Sequence, residues 1–134
     1  MGLCRVVLSR DIPNEWESIR PHLEKAIAKG DGSIDIYSTY WGLIDGTHYA
    51  IRFPEGAGTV INCVSDEGER VLLIGLLGAE DFRPYLADFA ATVIALAAWL
   101  DIGIIELQGR KGWARYLKHL APTIEGERIR FYVK

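Results

Sequence analysis

The chain has 134 residues, a mass of 15.0 kDa, 49% hydrophobic and 25% charged residues, and a formal net charge of −3. That length fits a single domain, 1–134, able to bury a core without a metal or disulfide as a staple. The balance excludes bulk disorder, and the longest apolar run, 12 residues from Phe89 to Leu100, falls short of the ~20 a membrane span needs. No secretory leader is visible, because Met1-Gly2-Leu3-Cys4 runs straight into Arg5.

Residues 3–9 read as an opening strand. Asp11-Ile12-Pro13 starts a helix, and Pro21 is expected to break it into a first turn near 13–19 and a helix over 21–29. Gly30 to Gly32 ends that helix. Apolar residues at 34, 36, 37, 40, 41 and 43 predict a short helix over 33–43, capped by Ser33. Asp45-Gly46 is a turn. Three strands follow, over 48–53, 59–65 and 70–77, with turns at 54–58 and 66–68, so the three form antiparallel hairpins. The third, Val71 to Leu77, is apolar except for Gly75 and belongs at the sheet centre.

The longest helix is expected over 82–100, with Phe82, Leu86, Phe89, Val93, Leu96, Ala97 and Leu100 on a stripe wide enough to predict that most of it is buried. Residues 104–108 form the next strand, parallel to the third because a helix crosses between them. A helix over Arg110–Leu120 and a strand over Arg128–Val133 complete an α+β mixed sheet with helices on both faces.

Charge is unevenly placed. Residues 109–134 carry seven basic and two acidic groups, a net of +5, whereas residues 1–108 carry eight basic and sixteen acidic, a net of −8. The basic end is either an anion or partner surface or a face balanced by acidic neighbours in the same fold. Cys4 and Cys63 read as reduced thiols, and His22, His48 and His119 are too scattered to make a zinc site. Hydrolase elbows, P-loops, kinase signatures and a GxGxxG turn after a strand do not occur. The paired carboxylates Glu80-Asp81 and Glu67/Glu69 sit at turns or a helix start, a structural placement. The most distinctive string is Gly109-Arg110-Lys111-Gly112-Trp113. Its glycines and cations at a helix start suit an anion or a partner; the alternative is a tight turn with Trp113 packed on the sheet.

This element order resembles the GNAT N-acetyltransferase fold over nearly the whole chain. Three strings, Leu23-Glu-Lys-Ala-Ile27, Trp41-Gly-Leu-Ile-Asp-Gly46 and Ile105 to Leu117, look more narrowly like small GNAT-like proteins of tailed bacteriophages. Similar proteins are internal virion or assembly proteins of short-tailed phages. Enzymes of the fold hold the coenzyme A diphosphate on backbone N–H groups of a glycine-rich turn between the central strand and the long helix. The matching stretch, Leu77 to Pro84, has one glycine, the carboxylates of Glu80 and Asp81, and a proline without an N–H. Tyr116 is a conceivable general acid but more simply a packing residue.

The resemblance therefore implies a non-catalytic virion or assembly protein, in the virion or host cytoplasm, needing no cofactor. It would contact other virion proteins or copies of itself, with Trp41, Trp16 and Trp113 as anchors. The alternative is an acetyl-CoA-dependent N-acetyltransferase using Arg83, Arg110 and Lys111 on the phosphates. Nucleic-acid binding by the basic end is disfavoured by the pI of 5.6.

Overall fold

The computed structural model describes residues 3–30, 32–108, 122–126 and 128–133. The expected helix over 110–120 lies outside them. Strand β1 is Arg5–Val7, shorter than expected because a 3-10 turn over Ser9–Asp11 leads directly into helix α1, Ile12–Ala28. α1 is one helix and runs through Pro21. The expected break does not occur for two reasons. Pro21 and Glu17, whose carbonyl loses its donor, both face solvent, where water can replace the missing bond. Ile12, Ile19 and Leu23 are buried on one stripe, so both halves are held to the same sheet face.

Helix α2, Ile36–Asp45, begins later than expected, and its cap is Asp35, not Ser33. Asp35 is extended and its side chain accepts from the Ser38 N–H at 2.8 Å. Gly46, at φ 86°, closes the helix in the left-handed region.

Strands β2 (His48–Phe53), β3 (Gly56–Val64) and β4 (Arg70–Ala79) form the antiparallel meander. The first turn contracts to Pro54-Glu55. Gly56 to Gly58, expected as turn, are strand residues paired on both sides, with Ala57 opposite Arg52 on β2 and Gly78 on β4. Helix α3 is Leu86–Trp99, preceded by a 3-10 turn over Arg83–Tyr85 that displaces its expected start past Pro84. Only Phe89, Val93, Leu96 and Ala97 of α3 are buried. The charge-poor outer side, including Ala87, Ala91, Ala95 and Trp99, faces solvent, which corrects the expectation of a mostly buried helix.

Strand β5 (Ile104–Gln108) runs parallel to β4, as the crossover requires. A strand the sequence did not announce, β6 (Thr123–Glu125), pairs with β7 (Arg128–Tyr132) through a turn at Gly126. The seven strands of the described residues are ordered β1-β2-β3-β4-β5-β7-β6, with β4 in the middle and three-residue strands at each margin. Alternation along the strands feeds two cores. Val7, Ala50, Ala57 and Leu76 meet α1 and α2, whereas Ile51, Val60, Leu72, Ile105, Leu107, Ile129 and Phe131 meet α3.

Candidate functional site at the central strand

The pairing of β3 with β4 slips once. Gly58 opposes Leu77 and Val60 opposes Ile74, so β4 holds one residue more than β3 between these pairs. The bulge takes the Leu76 N–H out of the ladder, and the buried Thr59 hydroxyl oxygen accepts from it at 3.0 Å. Gly75, at the bulge, is exposed even though β4 is the middle strand. A Cβ there would lie 2.9 Å from the Thr59 hydroxyl, which is why this position of an otherwise apolar run is glycine. Registered pairing with β5 also stops here: its last pair is Ile74 with Leu107, while β4 continues to Ala79. Beyond the bulge no further β4–β5 pair occurs among the described residues, since β5 ends at Gln108.

The turn that follows β4 is acidic and internally engaged. Asp81 Oδ1 accepts from both the Arg83 backbone N–H and Arg83 Nε, each at 3.2 Å. Those two bonds hold the Asp81 carboxyl below the usual carboxylate range. Tyr85 N–H donates to the Phe82 carbonyl at 2.9 Å and Leu86 N–H to the Arg83 carbonyl, while Pro84 has no N–H. Beneath the turn, Phe53, Phe82, Tyr85 and Phe89 pack ring to ring at centroid distances of 5.1–6.2 Å. On the opposite face, α1 lies so close to Gly78 that a Cβ there would overlap the His22 carbonyl.

Of the residues singled out from sequence, Glu80, Asp81 and Arg83 lie at this turn, and Arg83 is bound to Asp81. Gly109, Arg110, Lys111, Gly112, Trp113 and Tyr116 lie outside the described residues. The basic end is at least partly balanced inside the chain. Arg130, nearly buried, bonds Glu106 at 2.9 Å and Glu69 at 2.7 Å, and Arg128 bonds Glu67 at 2.8 Å. Glu67 and Glu69 lie within the β3–β4 turn, so the acidic pair noted there is an anchor for β7. Its bonds to Arg128 lower the Glu67 pKa to about 2. Arg5 and Arg52 likewise share Glu15, at 2.6 and 2.9 Å, a cluster that the sequence spacing does not disclose. Cys4 is buried, which raises its thiol to about 11, and Cys63 is half-buried; both are free. No His, Cys, Asp or Glu cluster among the described residues could hold a metal, and no helix among them is long and apolar enough to cross a membrane.

An antiparallel meander, a bulged middle strand and a parallel helix crossover to β5 in one mixed seven-stranded sheet make a GNAT-like fold. The solved structures agree. The chain is similar to FeeM, an N-acyl amino acid synthase from uncultured soil microbes, with a TM-score of 0.62 and 15% identity, covering 97% of this chain and 89% of that one. It is similar to a GNAT-family acetyltransferase from Streptococcus agalactiae at a TM-score of 0.60 and 13% identity, covering 98% and 95% of the two chains. N-acetylglutamate synthase from Neisseria gonorrhoeae, solved with coenzyme A and L-arginine, matches at a TM-score of 0.53 and 12% identity, over 99% of this chain and 34% of that one. At such identities the likeness is one of fold. No family profile matches the sequence, and no curated protein sequence matches it.

Proposed function

We propose that the chain is an acyl-CoA-dependent N-acetyltransferase whose thioester lies against the exposed main chain at Gly75. The exposed bulge in the middle strand carries this reading: it is a place where an acyl group can approach backbone dipoles without a side chain in the way. The solved structures of the same fold named as an N-acyl amino acid synthase and a GNAT-family acetyltransferase support it over the virion-scaffold expectation. Coenzyme A supplies the activated acyl group. The chain's part is to place that group beside an amine, with the two held in reach of each other.

The fit at the diphosphate end is conditional. Asp81 already stands as an anion on the Arg83 amide and guanidinium, the groups a phosphate oxygen would use. The pair is surface-exposed, at 75% for Arg83 and 55% for Asp81, so water and salt screen it. A diphosphate can therefore displace Asp81, against the repulsion of the carboxylate it displaces.

Calorimetry with acetyl-CoA on the intact chain and on Asp81→Ala tests this. Saturable heat is expected from both, with several-fold tighter binding by the variant. The self-capped turn favours a second reading, a non-catalytic GNAT-fold protein acting through protein contacts, as in the virion or assembly role that the phage-like strings imply. Absence of heat from both proteins at high micromolar ligand would reject the enzyme and leave that reading.

A further inference from the structure

Between the pair Gly58 with Leu77 and the pair Val60 with Ile74, the single residue Thr59 opposes both Gly75 and Leu76. Thr59 is buried, and its hydroxyl oxygen accepts from the Leu76 N–H at 3.0 Å. We propose that Thr59 is a positioning residue for acyl transfer, because this one bond sets the direction of the main chain at Gly75. The proposal rests on the acyltransferase reading above and extends it to a side chain that acts through the backbone. Peptide geometry carries the first step. The Gly75 carbonyl and the Leu76 N–H belong to one planar unit, and in the trans form they point opposite ways. Anchoring the N–H to β3 therefore aims the Gly75 carbonyl away from β3, toward the β5 side and past the last registered pair, Ile74 with Leu107. Without a hydroxyl at position 59, the Leu76 N–H loses this acceptor in a buried residue, and the peptide plane is no longer held.

Slipping the strands into a regular ladder is not another way to satisfy that N–H. Without the bulge, pairing would run on through Thr59 with Gly75 and Gly58 with Leu76, and Leu77 would stand opposite Ala57 in the place of Gly78. At that place even a Cβ overlaps the His22 carbonyl. Leu76 would also turn out of the core that it shares with Ile19, Leu23 and Ala57. The crossing of α1 over β4 thus keeps the register, and the Thr59 hydroxyl sets the orientation of one peptide within it. Valine copies the shape of threonine without the hydroxyl, so Thr59→Val isolates the bond from the register.

The test compares the full-length parent with Thr59→Val and Thr59→Ser. In heteronuclear NMR, the Leu76 amide should exchange with solvent about tenfold faster in Thr59→Val and at the parent rate in Thr59→Ser. The Gly78 and His22 amide signals should stay in place, showing that α1 still crosses β4. In calorimetry, Thr59→Val should bind acetyl-CoA several-fold more weakly than the parent but bind free coenzyme A as the parent does, because only the acyl end lies at Gly75. Thr59→Ser should restore the parent preference. Thr59→Ala, which also lacks the hydroxyl, should repeat the valine result and serves if valine does not fit the site. A merely structural role would weaken both ligands alike. Equal weakening, an unchanged ratio of acetyl-CoA to coenzyme A affinity, or a Leu76 amide that stays protected would each overturn the proposal. If the parent binds acetyl-CoA and the ratio does not move, Thr59 alone is misassigned; if the parent takes up neither ligand, the acyltransferase reading fails and this role fails with it.

Discussion

Gly78 and Gly32 illustrate how differently one residue type can be constrained. Gly32 has φ 84° and nothing near its missing Cβ, so replacing it by alanine incurs only the left-handed backbone penalty, about 1 kcal/mol. Gly78 lies in a strand, but its missing Cβ marks where the backbone of α1 crosses β4. Gly78→Ala must push α1 outward or bend the central strand, and we expect a loss near the upper end for overpacking, about 3 kcal/mol. Urea unfolding of the two variants checks the contrast; equal losses would mean that α1 is free to shift at His22. The same logic explains Gly42, whose Cβ would come within 2.7 Å of the His48 ring. Neither close approach is visible in a sequence, because each partner is distant along the chain or on another element.

Among the elements, α1 is the clearest departure from local reasoning. A proline in mid-helix removes one hydrogen bond and crowds the preceding turn, yet the helix continues because tertiary burial of Ile12, Ile19 and Leu23 outweighs the local cost. Pro21→Ala should therefore stabilise the protein, by about 1–2 kcal/mol once the greater freedom of the unfolded chain is subtracted. A lower urea midpoint for that variant would show that the proline shapes a bend the packing needs. The meander, the parallel crossover and the central place of β4 were legible, since hairpin turns and a continuous apolar run are local signals. β6 was not. Thr123–Glu125 is exposed throughout, so it carries no alternation between a buried and a wet face. The burial of α3 was overestimated because alanine fits an outer helix face as readily as an inner one. Within the candidate site, the acidic turn could be read directly; the bulge at Gly75 could not, because it depends on a register slip against β3.

For the molecule as a whole, charge is arranged to hold the C-terminal strand to the meander. Its pH response follows from groups whose folded pKa lies below the unfolded one. The pKa values of His22 and His48 are lowered, chiefly by burial, with Lys25 and Arg52 adding to the effect at His22 and Asp45 opposing it at His48. The unfolded chain thus takes up those protons first, and stability is full above about pH 6.5 and declines below it. Glu67, bonded to Arg128 and lowered to about 2, adds a second decline as pH falls from its ordinary value of 4.5. Urea midpoints measured from pH 8 to pH 3 should fall in these two stages, the first reduced in His48→Gln. A flat profile across the imidazole range would show that both rings titrate in the folded chain as they do in the unfolded one.

The shortness of β1 and β6 bears on crowding. Wherever copies of the chain are packed closely, another chain seeking to extend the sheet meets, among the described residues, rim strands of three residues each, Arg5–Val7 on one side and Thr123–Glu125 on the other. So short a template disfavours fibre growth by edge addition at those strands.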